Sequence, residues 1–215
     1  MSGRRRALRV ALTFDAEHPD RPADVTATEQ VVATLSNRGA RATFFLQGRW
    51  VEANPVLARR IADDGHLVGN HSFYHARMPL LSADGLRTDV HAAESIIRRR
   101  VGVDPRPWFR LPFGSGAQQA GVHDALAALG YRHVHWDFEV KEWRRRATAR
   151  EVEDGVVDGV LAHGDGSVAL LHPWPTVVPR ALPGIIDRLR THGAEFVDLR
   201  DLDRIPDGRE DAIAG

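Results

Sequence analysis

The chain has 215 residues, which is enough for one sizeable hydrophobic core. Its 29 Lys and Arg residues balance its 29 Asp and Glu residues, so its net charge gives no electrostatic case for binding nucleic acid or an anionic membrane surface. The chain contains no cysteine, which excludes disulfides, thiolate metal ligands and a cysteine nucleophile. A basic start at residues 4–6 is followed by an apolar stretch that Arg9 interrupts, and no apolar run is long enough to cross a bilayer. We therefore expect a cytoplasmic protein without a signal peptide, and nothing in the sequence indicates an obligate protein partner.

Apolar runs of strand length alternate with amphipathic stretches of helix length along the chain. Strands are predicted at residues 8–14, 42–46, 66–70, 108–111, 131–136, 168–171 and 194–199. Helices are predicted at residues 23–38, 55–64, 82–100, 122–129, 148–162 and 179–190. This alternation predicts an α/β fold with a parallel sheet, and seven strands favour a distorted (β/α)7-type barrel. We expect one domain over residues 1–215, with a core at about residues 7–202 and a polar tail at 203–215.

Polar side chains follow the apolar runs at the points where the predicted strands end. In chain order they are Asp15, His71 with His75, Arg110, Asp137 with Glu139, and His172. The carboxyl ends of parallel strands meet at one rim of a barrel, so we expect these side chains to lie close together. Two histidines four residues apart can direct both imidazoles at one point if a turn starts there, and imidazole is a common zinc ligand. Any one of these residues could be an ordinary surface residue, so the interpretation depends on the whole set.

Five short segments occur in a fixed order along most of the chain. They are Thr13-Phe14-Asp15-Ala16-Glu17, His71-Ser72-Phe73-Tyr74-His75, Arg110-Leu111-Pro112-Phe113, the eight residues from Trp136 to Trp143, and Leu171-His172. Together they resemble the NodB-like polysaccharide deacetylases of carbohydrate esterase family 4. The motifs of that family read T-F-D-D-G, H-S/T-x-x-H, R-x-P-F/Y, W-x-x-D-x-x-D-W and L-H. The second segment is a full match, and in the fourth segment Glu stands in both Asp places.

The resemblance implies the NodB homology fold and a metal-dependent hydrolase that removes an N-acetyl or related acyl group from an amino sugar or an N-acetylated small molecule. A divalent metal on His71 and His75, Zn²⁺ in the first place and Co²⁺ or another ion as alternatives, would polarise the acyl carbonyl and lower the pKa of the attacking water. Asp15 is implied as the base, kept ionised and oriented by Arg110. His172 is implied as the acid that protonates the leaving amine.

The resemblance also implies the residues around these groups. Glu139 is expected to keep the imidazole of the acid charged and aligned, and the backbone N–H of Phe113 to stabilise the oxyanion. Trp143 and either Leu170 or Leu171 are expected to form an apolar pocket for the acetyl methyl group. The predicted substrate-binding residues are Phe113, Trp143, Leu171 and Trp174.

The first segment departs from the family pattern at the position of the third metal ligand. The residue there is Ala16, which cannot coordinate a metal, whereas Glu17 follows and its side chain is one methylene longer than that of Asp. We predict Glu17 as the third ligand, with His18 as the alternative. Without that ligand, the competing hypotheses are a metal-free hydrolase of cyclic amides or ureides and a non-catalytic carbohydrate-binding domain. The binding domain is less favoured because the base, its orienting arginine and the acid are all present.

Overall fold

The structure is a computed structural model that describes residues 8–18 and 25–209, and strands and helices alternate along most of that part of the chain. The strands are β1 (Leu8–Ala16), β2 (Thr43–Leu46), β3 (Leu67–Asn70), β4 (Trp108–Phe109), β5 (Arg132–His133), β6 (Phe138–Glu139), β7 (Ser167–Leu171) and β8 (Ala194–Phe196). The α-helices are α1 (Val25–Asn37), α2 (Gly48–Ala53), α3 (Pro55–Asp63), α4 (Ala83–Arg100), α5 (Ala120–Ala128), α6 (Ala149–His163) and α7 (Val178–Thr191). None of the helices in this part of the chain is both long and apolar enough to cross a membrane.

All strand pairs in the sheet are parallel, in the order β5-β4-β3-β2-β1-β7-β6, and β8 pairs with the beginning of β1. The sheet curls into a half-barrel with helices around it, which confirms the predicted distorted barrel. Each of the seven predicted strands is present, although β4 and β5 are only two residues long. The sequence prediction missed β6 and α2, because elements of two and six residues are too short to show a period.

The central strand β1 is buried on both faces, as expected for a parallel strand covered by helices. Alternate side chains of β1, including Phe14 and Ala16, belong to the core shared with α1, α6 and α7. The intervening side chains, Thr13 and Asp15, therefore point to the other face, inside the half-barrel. Strand alternation thus places a carboxylate inside the barrel at the carboxyl end of β1.

The glycine in the middle of β3 lets the strand leading to the histidine pair pack closely on its neighbours. A Cβ added at Gly69 would lie 2.6 Å from Cδ1 of Phe45 and 3.1 Å from the carbonyl oxygen of Trp108. We expect Gly69→Ala to lower the free energy of unfolding by about 1–3 kcal/mol, because the core has no room for the methyl group. Urea denaturation would show this as a lower midpoint at an unchanged slope.

The matched control is Gly121→Ala in α5, where an added Cβ meets no atom within 4 Å. Alanine is the better helix former, so this variant should be unchanged or more stable by up to about 1 kcal/mol. Equal denaturation midpoints for the two variants would contradict the close packing at Gly69.

Candidate functional site

The carboxylate of Asp15 is buried and is held by the fully buried guanidinium of Arg110. Nη1 of Arg110 donates hydrogen bonds to Oδ1 of Asp15 at 3.0 Å and to Oγ1 of Thr13 at 2.7 Å. The other oxygen, Oδ2 of Asp15, lies 3.6 Å from Nε2 of His71. One carboxylate oxygen is thus fixed by the arginine, while the second faces the histidine pair.

Three side chains converge beside Asp15. Glu17, His71 and His75 each offer a ligand atom, and these atoms all lie within 4.8 Å of one another. Oε2 of Glu17 is 2.5 Å from Nε2 of His75 and 3.3 Å from Nε2 of His71. Nδ1 of His71 donates to the carbonyl oxygen of Arg110 at 2.9 Å, so Nε2, which faces Glu17, is the nitrogen that would bind a metal. Two imidazole nitrogens and one carboxylate oxygen are a donor set that fits a divalent transition metal.

The pKa shifts of Glu17 and His75 also suit a metal site. Burial alone would raise the pKa of Glu17, but hydrogen bonds from His18, His71 and His75 lower it well below its usual range. Burial lowers the pKa of His75, so its imidazole is neutral and able to ligate. Burial would also lower the pKa of His71, but the charges of Asp15 and Glu17 raise it. A metal that binds at His71 would therefore displace a proton from this imidazole.

The loop that carries the two histidines is not a helical turn. Ser72 and His75 have φ angles of 67° and 58°, in the left-handed region. The loop is held by Oδ1 of Asn70, which accepts from the backbone N–H of Ser72, and by the carboxylate of Asp89 in α4, which accepts from the N–H groups of residues 73 and 74. The sequence indicated that the two imidazoles would converge. It did not indicate that the loop would be held by a carboxylate 15 and 16 residues beyond the two N–H groups that donate to it.

The imidazole of His172 lies close to the ligand residue Glu17. Its Nδ1 and its backbone N–H both donate to Oε1 of Glu142, at 2.8 Å and 2.6 Å. Its Nε2 lies 3.8 Å from Oε1 of Glu17. Burial alone would lower the pKa of His172, but the hydrogen bond and charge of Glu142 raise it to about 9. His172 is therefore a cation at neutral pH and can donate a proton from Nε2.

The prediction that Glu139 aligns His172 is wrong. Glu139 ends β6, is exposed, and lies 3.7 Å from the ammonium group of Lys141. The chain turns after β6 and brings Glu142, three residues later, to the imidazole; Glu142 is only 2% exposed. Glu142 is the second of the two Glu residues that occupy Asp places in the fourth segment. The sequence therefore contained both candidates but did not indicate which carboxylate would contact His172.

Asp15, His172 and the three ligand residues line one cavity of about 470 Å³. Of the predicted substrate-binding residues, Phe113, Trp143 and Trp174 line this cavity. The prediction of Leu171 is wrong, because Leu171 packs into the core on the helix side of the sheet. Leu170 lines the cavity instead, since neighbouring residues of a strand point to opposite faces.

The fold agrees with what the comparison with known proteins shows. Residues 2–134 match the family model described as polysaccharide deacetylase. This chain belongs to the polysaccharide deacetylase family. It is 31% identical over 203 residues to a peptidoglycan-N-acetylglucosamine deacetylase of Bacillus cereus, a match that covers 92% of this chain and 69% of the relative. The resemblance and the hydrolase class predicted from the sequence are thus confirmed at the level of the family.

Solved structures of the family include metal-containing and inactive members. A family 4 acetyl xylan esterase from Clostridium thermocellum, in complex with a cobalt ion, has a TM-score of 0.79 and 29% identity over 94% of this chain and 95% of that chain. A CE4 family pseudoenzyme from Bacillus anthracis also has a TM-score of 0.79, with 26% identity over 90% of this chain and 64% of that chain. Since an esterase and a pseudoenzyme are equally similar in fold, the side chains of the site must decide the activity.

The pairing of His172 with Glu142 predicts a high titration midpoint in the metal-free protein. NMR titration of the His172 imidazole should give a pKa of about 9. Glu142→Gln should lower this midpoint, because the hydrogen bond and the charge that oppose burial most strongly are then lost. Glu139→Gln is the matched control and should leave the midpoint near that of the wild type. A fall in Glu139→Gln that equals the fall in Glu142→Gln would contradict the assigned pairing.

Proposed function

We propose that this chain is a metal-dependent deacetylase that hydrolyses the N-acetyl group of an amino sugar. The observation that carries the proposal is that Asp15, His172 and the ligand group of Glu17, His71 and His75 line the same cavity. The family of the chain supports a deacetylase, and the arrangement of these side chains supports catalysis by this particular member.

A divalent metal held by Glu17, His71 and His75 would supply Lewis-acid polarisation of the acyl carbonyl and of the attacking water. We propose Zn²⁺, because two imidazoles and one carboxylate form a ligand set that recurs in catalytic zinc sites. Co²⁺ suits the same donors, and it is the ion in the acetyl xylan esterase structure.

Asp15 and His172 would act as the base and the acid of the reaction. Asp15 takes a proton from the attacking water through Oδ2, while Arg110 holds Oδ1. The water oxygen forms a bond to the acyl carbon, and the backbone N–H of Phe113 is the proposed donor to the resulting oxyanion. The C–N bond then breaks as Nε2 of His172 gives its proton to the departing amine. Glu142 stabilises the charged imidazole before that transfer.

The lining of the cavity suits an N-acetylated sugar unit. Leu170 and the exposed ring of Trp143 provide apolar surface for the acetyl methyl group, and Trp136 and Phe113 provide further aromatic surface against which a sugar ring can pack. The name of the Bacillus cereus relative specifies N-acetylglucosamine in peptidoglycan, which supports an N-acetylglucosamine unit as the group recognised here.

Loss of the base or of the acid should abolish most turnover while the fold survives. With N-acetylglucosamine oligomers as substrate and acetate release as the readout, we expect Asp15→Asn and His172→Ala each to lower kcat by about 10²–10⁴-fold. His91→Ala is a matched control, because His91 lies on an exposed face of α4. Turnover retained in Asp15→Asn would remove the assigned base.

Loss of the carboxylate ligand should remove the metal. We expect the wild type to hold about one Zn²⁺ per chain after dialysis, to lose acetate release on chelation and to regain it when Zn²⁺ is restored. Glu17→Ala should hold much less metal in the same measurement, since only two imidazoles remain. Full occupancy in Glu17→Ala would show that Glu17 is not a ligand. Activity of the chelated wild type would favour the metal-free hydrolase instead.

A further inference from the structure

Glu17 lies beyond the end of the sheet, and its carboxylate reaches back to His71 and His75. β1 ends at Ala16, whose side chain packs in the helix-side core, and Glu17 is the next residue. A glutamate side chain has three rotatable bonds and loses considerable conformational freedom when it is fixed in one position. Since the strand does not fix this side chain, other contacts must direct it towards the two histidines.

The two oxygens of Glu17 have different partners. Oε2 faces His71 and His75, as described above, whereas Oε1 lies 2.5 Å from Nε2 of His18. His18 does not belong to the group whose ligand atoms lie within 4.8 Å of one another. The His18 ring therefore contacts the carboxylate on the oxygen that is not shared with the other two imidazoles.

We propose that His18 is a positioning residue for the metal site. Its Nε2–H donates a hydrogen bond to Oε1 of Glu17 and thereby keeps Oε2 directed at His71 and His75. This inference rests on the proposed metal-dependent function. It changes the role that the sequence suggested for His18, from an alternative ligand to the group that orients the ligand carboxylate.

The contacts of His18 show how its own ring is held. Its φ angle is 71°, a left-handed conformation that is uncommon for a residue other than glycine. Its backbone N–H donates to Oε1 of the buried Gln47 at 3.2 Å, and the backbone N–H of Gln47 donates to the carbonyl oxygen of Ala16 at 3.0 Å. The His18 ring packs edge-on against Trp174, with ring centroids 4.8 Å apart. Backbone and ring are thus both held by contacts with protein groups.

Hydrogen-bond partners of metal ligands typically change metal affinity by 10–100-fold when they are mutated. Two substitutions separate the hydrogen bond from the ring packing. His18→Phe keeps an aromatic ring against Trp174 but has no donor, whereas His18→Gln keeps an N–H donor at a similar reach but has no ring. Metal affinity is measured on metal-free protein, by competition of Zn²⁺ between the protein and a chromophoric chelator.

We expect His18→Phe to bind Zn²⁺ about 10–100-fold more weakly than the wild type, and His18→Gln to stay within a few-fold of the wild type. The reverse order would show that ring packing is what matters and would overturn the proposal. Equal affinity for all three proteins would also overturn it. Wild-type protein that binds no Zn²⁺ would instead overturn the proposed metal-dependent function.

A second measurement tests whether His18 acts through Glu17. In a Glu17→Ala background, His18→Phe should cause no further loss of Zn²⁺ affinity, because the carboxylate that His18 orients is absent. A further 10-fold loss in that background would mean that His18 contacts the metal itself. The absorption spectrum of the Co²⁺ protein gives an independent check, since His18→Gln should leave it unchanged if His18 is not a ligand.

Discussion

The buried ion pair between Arg110 and Asp15 is the interaction on which the rest of the site depends. Arg110 is completely buried, and besides Asp15 its guanidinium donates to the carbonyl oxygens of Val134 at 3.1 Å and His135 at 3.0 Å. Its own carbonyl oxygen accepts from His71. One residue therefore fixes the proposed base, orients a proposed metal ligand and ties β1 to the segment after β5. A buried charge of this kind is tolerated only when its partners are complete, so the elements that supply them are constrained together.

Glu17 shows how a metal site can keep a carboxylate ligand when the usual ligand position of the motif, here Ala16, has none. Ala16 packs in the helix-side core and offers no ligand atom. Glu17 lies after the strand and reaches the same group of imidazoles through a longer side chain, which needs additional support. The contact with His18 supplies that support on the second oxygen. The change at position 16 is thus linked to the residues at positions 17 and 18.

The general architecture and the rim on which the site lies could be predicted because both follow from simple periodicities. Parallel strands leave apolar runs, and the polar residues after those runs collect at one edge. The wrong or missing predictions concern strands in which buried and exposed residues do not alternate visibly, and a contact between residues far apart in the chain. Every residue of β7 is buried, so nothing in the sequence distinguished Leu170 from Leu171. β6 has only two residues, so the turn that brings Glu142 rather than Glu139 to the acid was not visible. Asp89 belongs to a helix distant in sequence from the loop that it holds.

The burial of so many charged groups is itself an argument for catalysis. The relative exposures of Glu17, His71 and Glu142 are 4%, 1% and 2%. The chain as a whole has no net charge, so an excess of one sign does not explain their burial. Replacing buried ion pairs by well-packed apolar side chains is often neutral or stabilising, so folding alone does not require them. A carbohydrate-binding domain could use the aromatic walls of the cavity, but it would need neither an oriented base nor an imidazole held as a cation beside a ligand group. The paired charges are therefore better explained by proton transfers during hydrolysis of an acyl group than by stability or by binding.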